Sequence, residues 1–442
     1  MLIPERFRNP ASLIFLALIM VIAVVFIGYF IPDRTHIYSY WAGIGIAFIA
    51  YFIILKEFDS DQFNKVNYAT AAILRFVLLF AFPLLSDDLY RFFWDGAQIF
   101  HGINPFSFTP KELLVFNYSW VDVSLFDKMN SPEYYSVYPP INQLAFFLTA
   151  LAGKGNLLSS IVILRLIIIV FDIGNIYLIR KFLRNFNKKE SLVFLYALNP
   201  LVIIELTGNL HFEAVMIFFT LLSFWFLLKN RWILASLALA FAVCAKLLPL
   251  IFLPLFIKHI GFRKTIYSGV IVGAIILILF LPFIHNLTLA QHLLSSIKLY
   301  YGNFEFNGSI SQLLKSAGWT LLGHDPIAYT RIILLACTFG GSYLAYRKSS
   351  NILQGSFWFI MVYYLFSAVV HPWYIVILVC FTPFLNFRFA LLWSALICLT
   401  YYTYVSLPYQ QSTLLTIVEY CLIALAFTNE WWKAKRLKEK LV

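Results

Sequence analysis

Apolar runs of roughly twenty residues recur along this chain, separated by short polar turns, and a run of that length crosses a bilayer as a helix. Runs at 12–31, 37–55, 68–85, 161–180, 190–206, 211–228, 265–284, 328–346, 352–370, 388–405 and 413–429 each predict a span. Residues 232–257 are interrupted by Lys246 and Pro249 and predict a broken or hairpin pair, taken as a hairpin in the charge count below. Residues 372–387 predict a short span that starts after the His371–Pro372 break, because proline stops a helix and restricts the residue before it. Residues 141–152 are read as non-spanning. The pattern predicts an all-α polytopic membrane protein of about 12 to 14 spans, forming a single transmembrane domain over residues 1–442. Two stretches, 86–140 and 285–327, are too long and too polar to be mere turns, and long loops in compact proteins usually carry function.

Composition agrees. The chain is 61% hydrophobic and only 12% charged, with a mean hydropathy of +0.81, against about a quarter charged in a soluble domain. A net charge of +12 would point to nucleic acid in a soluble protein. Here the basic residues fall in short runs between spans, such as Arg180–Lys181, Lys188–Lys189 and Arg347–Lys348, which excludes that reading in favour of the positive-inside rule. With the N-terminus in the cytoplasm, roughly two thirds of the 33 Lys and Arg fall on or near the cytoplasmic side. Spanning 141–152 would put the Arg180–Lys189 cluster outside. Loops 86–140 and 285–327 are then extracytoplasmic, and Ser12–Ile31 is a retained span, too long for a signal-peptide core. The five cysteines sit in apolar segments without a CxxC pair and read as small hydrophobes.

The sharpest polar feature is Ser86-Asp87-Asp88-Leu89-Tyr90-Arg91-Phe92-Phe93-Trp94-Asp95-Gly96, directly after the third run. Adjacent carboxylates at a membrane boundary are costly unless solvated or used. Ser86 is placed to cap a short helix whose positive end favours Asp87 and Asp88. At helical spacing Asp87, Asp88 and Asp95 all come within reach of Arg91, so one carboxylate pairs with it and another is left as a base. The aromatic residues would lay this helix on the interface. Asn104 and Tyr138 lie in rigid turns of the same loop, where aromatic rings beside carboxylates suit a carbohydrate. The other outer turns add Asn209, His211 and Glu213, then His371 and Trp373, then Asn303, Glu305 and Asn307. Basic groups at this level are Arg91, Arg165, Lys246 and Arg331. Lys246, inside an apolar stretch, needs an anion: a lipid-linked phosphate, or an internal carboxylate such as Asp172 or Glu205. No Walker loop, HExxH or GxSxG is present, so a donor held by lipid is more economical than a cytosolic nucleotide sugar.

These segments, SDDLYRFFWDG (86–96), GINPF (102–106), VYPP (137–140), NPLVIIELTGNLHFEA (199–214), AKLLPLIFLPL (245–255) and HPWY (371–374), resemble the GT-C superfamily of membrane glycosyltransferases. The resemblance is particularly to bacterial polyprenyl-phosphate-mannose-dependent mannosyltransferases. It implies many transmembrane helices with short juxtamembrane helices in the outer loops. It also implies a polyprenyl-phosphate sugar donor, a lipid or glycan acceptor, and a bacterial cytoplasmic membrane with an extracytoplasmic site. The base maps to Asp87 or Asp88, which stand adjacent where family members often space their acids. The expected reaction is an inverting single displacement with the leaving phosphate stabilised by some of Arg91, Arg165, Lys246 and Arg331. Asp95, Asn104, Tyr138, Asn209, His211, Glu213, His371 and Trp373 would shape the sugar or acceptor pocket. No cofactor or metal is expected, a divalent cation not being required by a phosphate leaving group. The rival expectation is a lipid-intermediate flippase or transporter using Asp172, Arg165 and Glu419 inside the spans.

Overall fold

A computed structural model describes residue 4, residues 8–302 and residues 304–439; Asn303, expected among the polar residues of the second long loop, lies outside them. Among the described residues the regular structure is helical, apart from isolated bridges that join Phe306 and Asn307 to Val369. Among the described residues five helices are long and apolar enough to cross a bilayer: Pro10–Tyr29, Ile37–Glu57, Leu157–Asn185, Leu248–Phe280 and Thr413–Arg436. Large apolar side chains such as Phe15, Ile22, Tyr177, Leu277 and Leu425 are exposed along them, as expected where lipid is the solvent. Shorter apolar helices include Pro140–Gly153, Glu213–Leu228, Trp232–Ala245 and Ile352–Phe366. The chain is thus the all-α polytopic protein that its hydrophobic pattern predicts.

Several predicted spans differ from continuous helices, each for a local reason. The run at 68–85 is helical only to Phe76, at the end of Asn64–Phe76, and Pro83 follows in non-helical backbone. The run at 190–206 becomes Glu190–Ala197 and Pro200–Gly208, bent by 52°. Pro200 has no N–H to continue the ladder, and the Asn199 side chain instead accepts from the N–H groups of Leu201 and Val202, at 3.0 and 3.3 Å. The stretch 232–257 breaks where expected. Helix Trp232–Ala245 ends at Lys246 with extended backbone, φ −160° and ψ 137°, and Leu248–Phe256 continues as a 3-10 helix containing Pro249 and Pro254.

The chain divides into two compact units: Met1–Leu74, Ile179–Ile204 and Glu305–Val442 form the first, Arg75–Leu178 and Glu205–Phe304 the second. In the first, Pro10–Tyr29 and Ile37–Glu57 form a helical hairpin. The Tyr51 hydroxyl donates to the Leu195 carbonyl (2.7 Å) and Asn199 Nδ2 to Ser394 (2.9 Å). The buried Glu419 carboxylate accepts from Trp393 Nε1 (2.8 Å) and Asn307 Nδ2 (3.1 Å).

In the second unit, Glu213–Leu228 and Trp232–Ala245 pair, and Trp232–Ala245 also meets Pro140–Gly153, which lies against Asp88–Phe100. Deep in this unit Arg75 Nε and Asp172 Oδ2 form an ion pair of 2.6 Å with no exposed surface on either side chain. Gly96 sets the approach of Asp88–Phe100 to Pro140–Gly153, because a Cβ there would stand 2.3 Å from the Phe146 carbonyl oxygen. Replacing Gly96 by Ala forces the two helices apart. An overpacking loss of about 1–3 kcal/mol is expected, read as a lower unfolding temperature of the detergent-solubilised protein.

Candidate active site

The Ser86–Gly96 motif folds as expected into a short helix, Asp88–Phe100, with Asp87 at its N-cap and Asp88 in its first turn. Ser86 Oγ accepts from the Asp88 N–H at 3.3 Å, so part of the expected capping is present. A negative residue in the first turn is favoured by the unpaired N–H groups there. The apolar face is buried rather than laid on an interface: Phe92 stacks on Phe146 with centroids 4.7 Å apart, and both rings touch Phe212 and Tyr138. This four-ring cluster fixes the start of Asp88–Phe100 relative to the turn that carries His211.

Arg91 chooses Asp95, with Nε 2.6 Å from Oδ1 and both side chains buried. Its Nη1 donates to the carbonyls of Ser131 (3.1 Å) and Tyr134 (2.7 Å). Asp95 Oδ2 accepts from Ser136 Oγ (2.5 Å) and from Gln143 Nε2 (3.0 Å). Arg91 and Asp95 therefore fasten the outer loop to the helix. Two candidates for sugar contact are also spent on folding. Asn104 donates to the Phe283 carbonyl (2.6 Å) and accepts from the Phe106 N–H (3.0 Å). The Tyr138 ring is in the aromatic cluster.

Pairing Arg91 with Asp95 leaves the tandem aspartates to other partners. Asp88 accepts from Asn130 Nδ2 at 3.3 Å and lies in the fields of His211 and Lys246. Burial raises its pKa above the ordinary aspartate value, assisted by the neighbouring Asp87 charge and opposed by His211, Asn130 and Lys246; the net shift is upward.

The second component is the turn at 205–213. Ile203–Gly208 is a π-helix, a rare geometry often found at functional positions. It is followed by Leu210 in the left-handed region, φ 64°, which costs a non-glycine residue about 1–2 kcal/mol and is the kind of strain that persists where surroundings impose it. Arg165 holds the backbone just before Leu210: Nε donates to the Thr207 carbonyl (2.7 Å), Nη2 to Gly208 (3.0 Å) and Nη1 to Leu79 (2.7 Å). Within the turn, Glu205 accepts from Asn209 Nδ2 at 3.1 Å. His211 Nδ1 lies 3.1 Å from the Glu205 carbonyl oxygen and 3.2 Å from its carboxylate. Two acceptors on one nitrogen keep the proton on Nδ1. Glu213, in the first turn of its helix, is ion-paired with Lys246. Lys246 thus has a carboxylate partner, but Glu213 rather than Asp172 or Glu205.

Asp88, Asn209, His211, Glu213 and Lys246 all belong to the second unit, where the motif helix, the 205–213 turn and the end of Trp232–Ala245 carry them. Sequence reasoning missed Asn130, which nothing in its surroundings marks, and underrated Glu205, whose spacing of four from Asn209 was visible. Arg331, His371 and Trp373 belong to the first unit. Arg331 is exposed on Ile327–Lys348. The His371 ring is buried in a stack between Trp373 (4.3 Å) and Phe306 (4.5 Å). Among the described residues no group of three or more His, Cys, Asp or Glu is placed to hold a metal ion.

The family model described as alpha-(1->6)-mannopyranosyltransferase, N-terminal domain, matches residues 13–261. That range contains the Ser86–Gly96 motif, the 205–213 turn and Lys246. The chain is similar to alpha-(1->6)-mannopyranosyltransferase A of Mycobacterium tuberculosis, 24% identical over 183 residues. This match covers 40% of the chain and 34% of the relative's length.

If Arg91–Asp95 is a structural anchor, Asp95→Asn leaves the guanidinium buried without its countercharge. A loss of about 3–5 kcal/mol is expected, with protease cleavage appearing first in residues 111–138. Unchanged stability and proteolysis would remove the anchor role.

Proposed function

The chain belongs to the alpha-(1->6)-mannopyranosyltransferase family, and from that premise we propose that it transfers a mannosyl unit from a polyprenyl-phosphate donor to a hydroxyl of a lipid or glycan acceptor, on the extracytoplasmic face of a bacterial cytoplasmic membrane. The observation that carries this reading is the setting of Asp88: a carboxylate at a helix start, hydrogen-bonded to Asn130 and in the fields of His211 and Lys246.

Asp88 is the general base. It accepts the acceptor's hydroxyl proton as that oxygen attacks the anomeric carbon, and the bond from carbon to phosphate oxygen breaks with its electron pair leaving on the phosphate. Attack and departure on opposite faces invert the anomeric centre. A base is more effective the closer its pKa lies to the working pH, and the upward shift of Asp88 is in that direction. Lys246 balances the charge developing on the leaving phosphate, and Glu213 keeps its side chain placed in the resting state. His211, oriented by Glu205, and Asn209 border the sugar or acceptor. Arg165, all of whose nitrogens hold backbone carbonyls, acts as a positioning residue for the 205–213 turn. Asp87 serves the helix start.

The transporter reading has less support, because the in-span groups it needs are engaged in fixed contacts: Asp172 with Arg75, Arg165 with three carbonyls, Glu419 with Trp393 and Asn307.

Asp88→Asn is expected to lower mannosyl transfer by about 10²–10⁴-fold, the usual contribution of a general base, with folding retained, whereas Asp87→Asn keeps most of the rate. The assay is transfer from radiolabelled polyprenyl-phosphate mannose in proteoliposomes; full activity of Asp88→Asn defeats the assignment. Because the Asp88 pKa is raised, its basic form is lost as pH falls through a value above the ordinary aspartate pKa of about 4. The acid limb of the rate profile therefore lies above that of a solvated aspartate. In Asp88→Asn any residual rate lacks this limb.

A further inference from the structure

The first unit contains a cavity of about 620 Å³ in which Lys56, Arg388 and Asn67 face an apolar wall that includes Phe52, Leu392 and Ala426. It gathers the end of Ile37–Glu57, the start of Phe389–Leu396 and the late part of Thr413–Glu439, chain ends that the charge pattern assigns to the cytoplasmic side. We propose that this cavity is a binding site for an anionic phospholipid, taking its phosphodiester headgroup at Lys56 and Arg388 and the start of its acyl chains along the apolar wall.

The acids at the cavity are committed elsewhere. Glu430 accepts from the backbone N–H groups of Arg388 (2.8 Å) and Phe389 (3.2 Å), serving as the anion at the start of that helix. Asp59 is paired with Lys189 at 3.4 Å. The cations are less committed: Arg388 gives Nη1 to the Thr382 carbonyl (3.0 Å), and Lys56 is exposed, with no carboxylate paired to it among the described residues. Lys56, with no carboxylate paired to it, calls for an anion, and the Arg388 guanidinium that lines the same cavity, though also in the field of Glu430, suits phosphate oxygens.

Asn67 is 1% exposed, its Nδ2 donates to the Phe58 carbonyl (3.5 Å), and its Oδ1 has no hydrogen-bond partner. Asn67 therefore closes the inner end of the cavity as part of its wall. The volume lies within the range of small-molecule sites. It suits a headgroup with the first methylenes of its chains, and the apolar wall has no use for a free, soluble phosphate. The cations select a net-negative phosphoglycerol headgroup over a zwitterionic choline one.

The test uses the full-length protein reconstituted in nanodiscs containing equal amounts of phosphatidylglycerol and phosphatidylcholine, extracted into mild detergent, with retained lipid counted by native mass spectrometry. Phosphatidylglycerol is expected to be retained in preference. Lys56→Gln, an exposed change that leaves folding intact, should weaken that preference about fivefold, the effect of one lysine near an anionic headgroup. Leu392→Trp, which fills the cavity without altering charge, should abolish it. Equal retention of the two lipids overturns the proposal, as does unchanged retention in Lys56→Gln. Displacement of the lipid by water-soluble glycerol phosphate at equal concentration also overturns it, by making the site one for the free headgroup.

Discussion

An ionised side chain removed from water and left without a partner costs several kcal/mol, and in a chain this apolar there is little water to turn to. The second unit is arranged around that constraint. Arg75 meets Asp172, Arg91 meets Asp95, and Lys246 meets Glu213. Arg165 takes three carbonyl oxygens. Arg75–Asp172 and Lys246–Glu213 tie together segments distant in sequence, and Arg91, paired within its own helix, reaches the loop through the Ser131 and Tyr134 carbonyls, so the charges that cost most to bury hold the tertiary structure in one arrangement. Asp88 differs, because its hydrogen bond comes from a neutral amide and its cationic neighbours act through the field alone. A carboxylate held in that way keeps the capacity to take up a proton.

The broken helices follow from the same physics. Backbone that leaves the helix inside an apolar environment must find other partners for its N–H and C=O groups. At 199–213 it finds them in Asn199, Arg165 and Glu205, which together allow a π-helix and a left-handed leucine within a few residues. The result is a turn that presents Asn209, His211 and Glu213 at the end of a short helix. Trp232–Ala245, at 14 residues, is about 21 Å long, short of the ~30 Å hydrocarbon layer, and this brings Lys246 to its position beside Glu213. Helix shortening is thus the means by which polar residues reach a common site.

The candidate site was only partly legible. Its acidic motif, its capping serine and the polar turns were visible because polar residues at the ends of apolar runs stand out at once. Which aspartate pairs with Arg91 was not, since helical spacing allows Asp87, Asp88 and Asp95 equally to reach it. Packing chose Asp95, because the loop residues Ser136 and Gln143 complete its hydrogen bonds. Asn104 and Tyr138 read as carbohydrate ligands from composition, yet the fold uses them for a turn and an aromatic cluster. Residue type reveals the capacity for a contact and leaves the partner open.

By itself the sequence determined the solvent of this protein, its helical class and the break at Lys246–Pro249, but not every position at which a helix stops. Those depend on apolar run length, proline and charge, which act locally or through the bilayer. Tertiary structure decided which cation neutralises which anion, and so which groups remain for chemistry. Lys246 and Glu213 are 33 residues apart, and Asp88 and Asn130 are 42 apart. No local rule joins such pairs, since the energy that selects them exists only once the helices that carry them have packed.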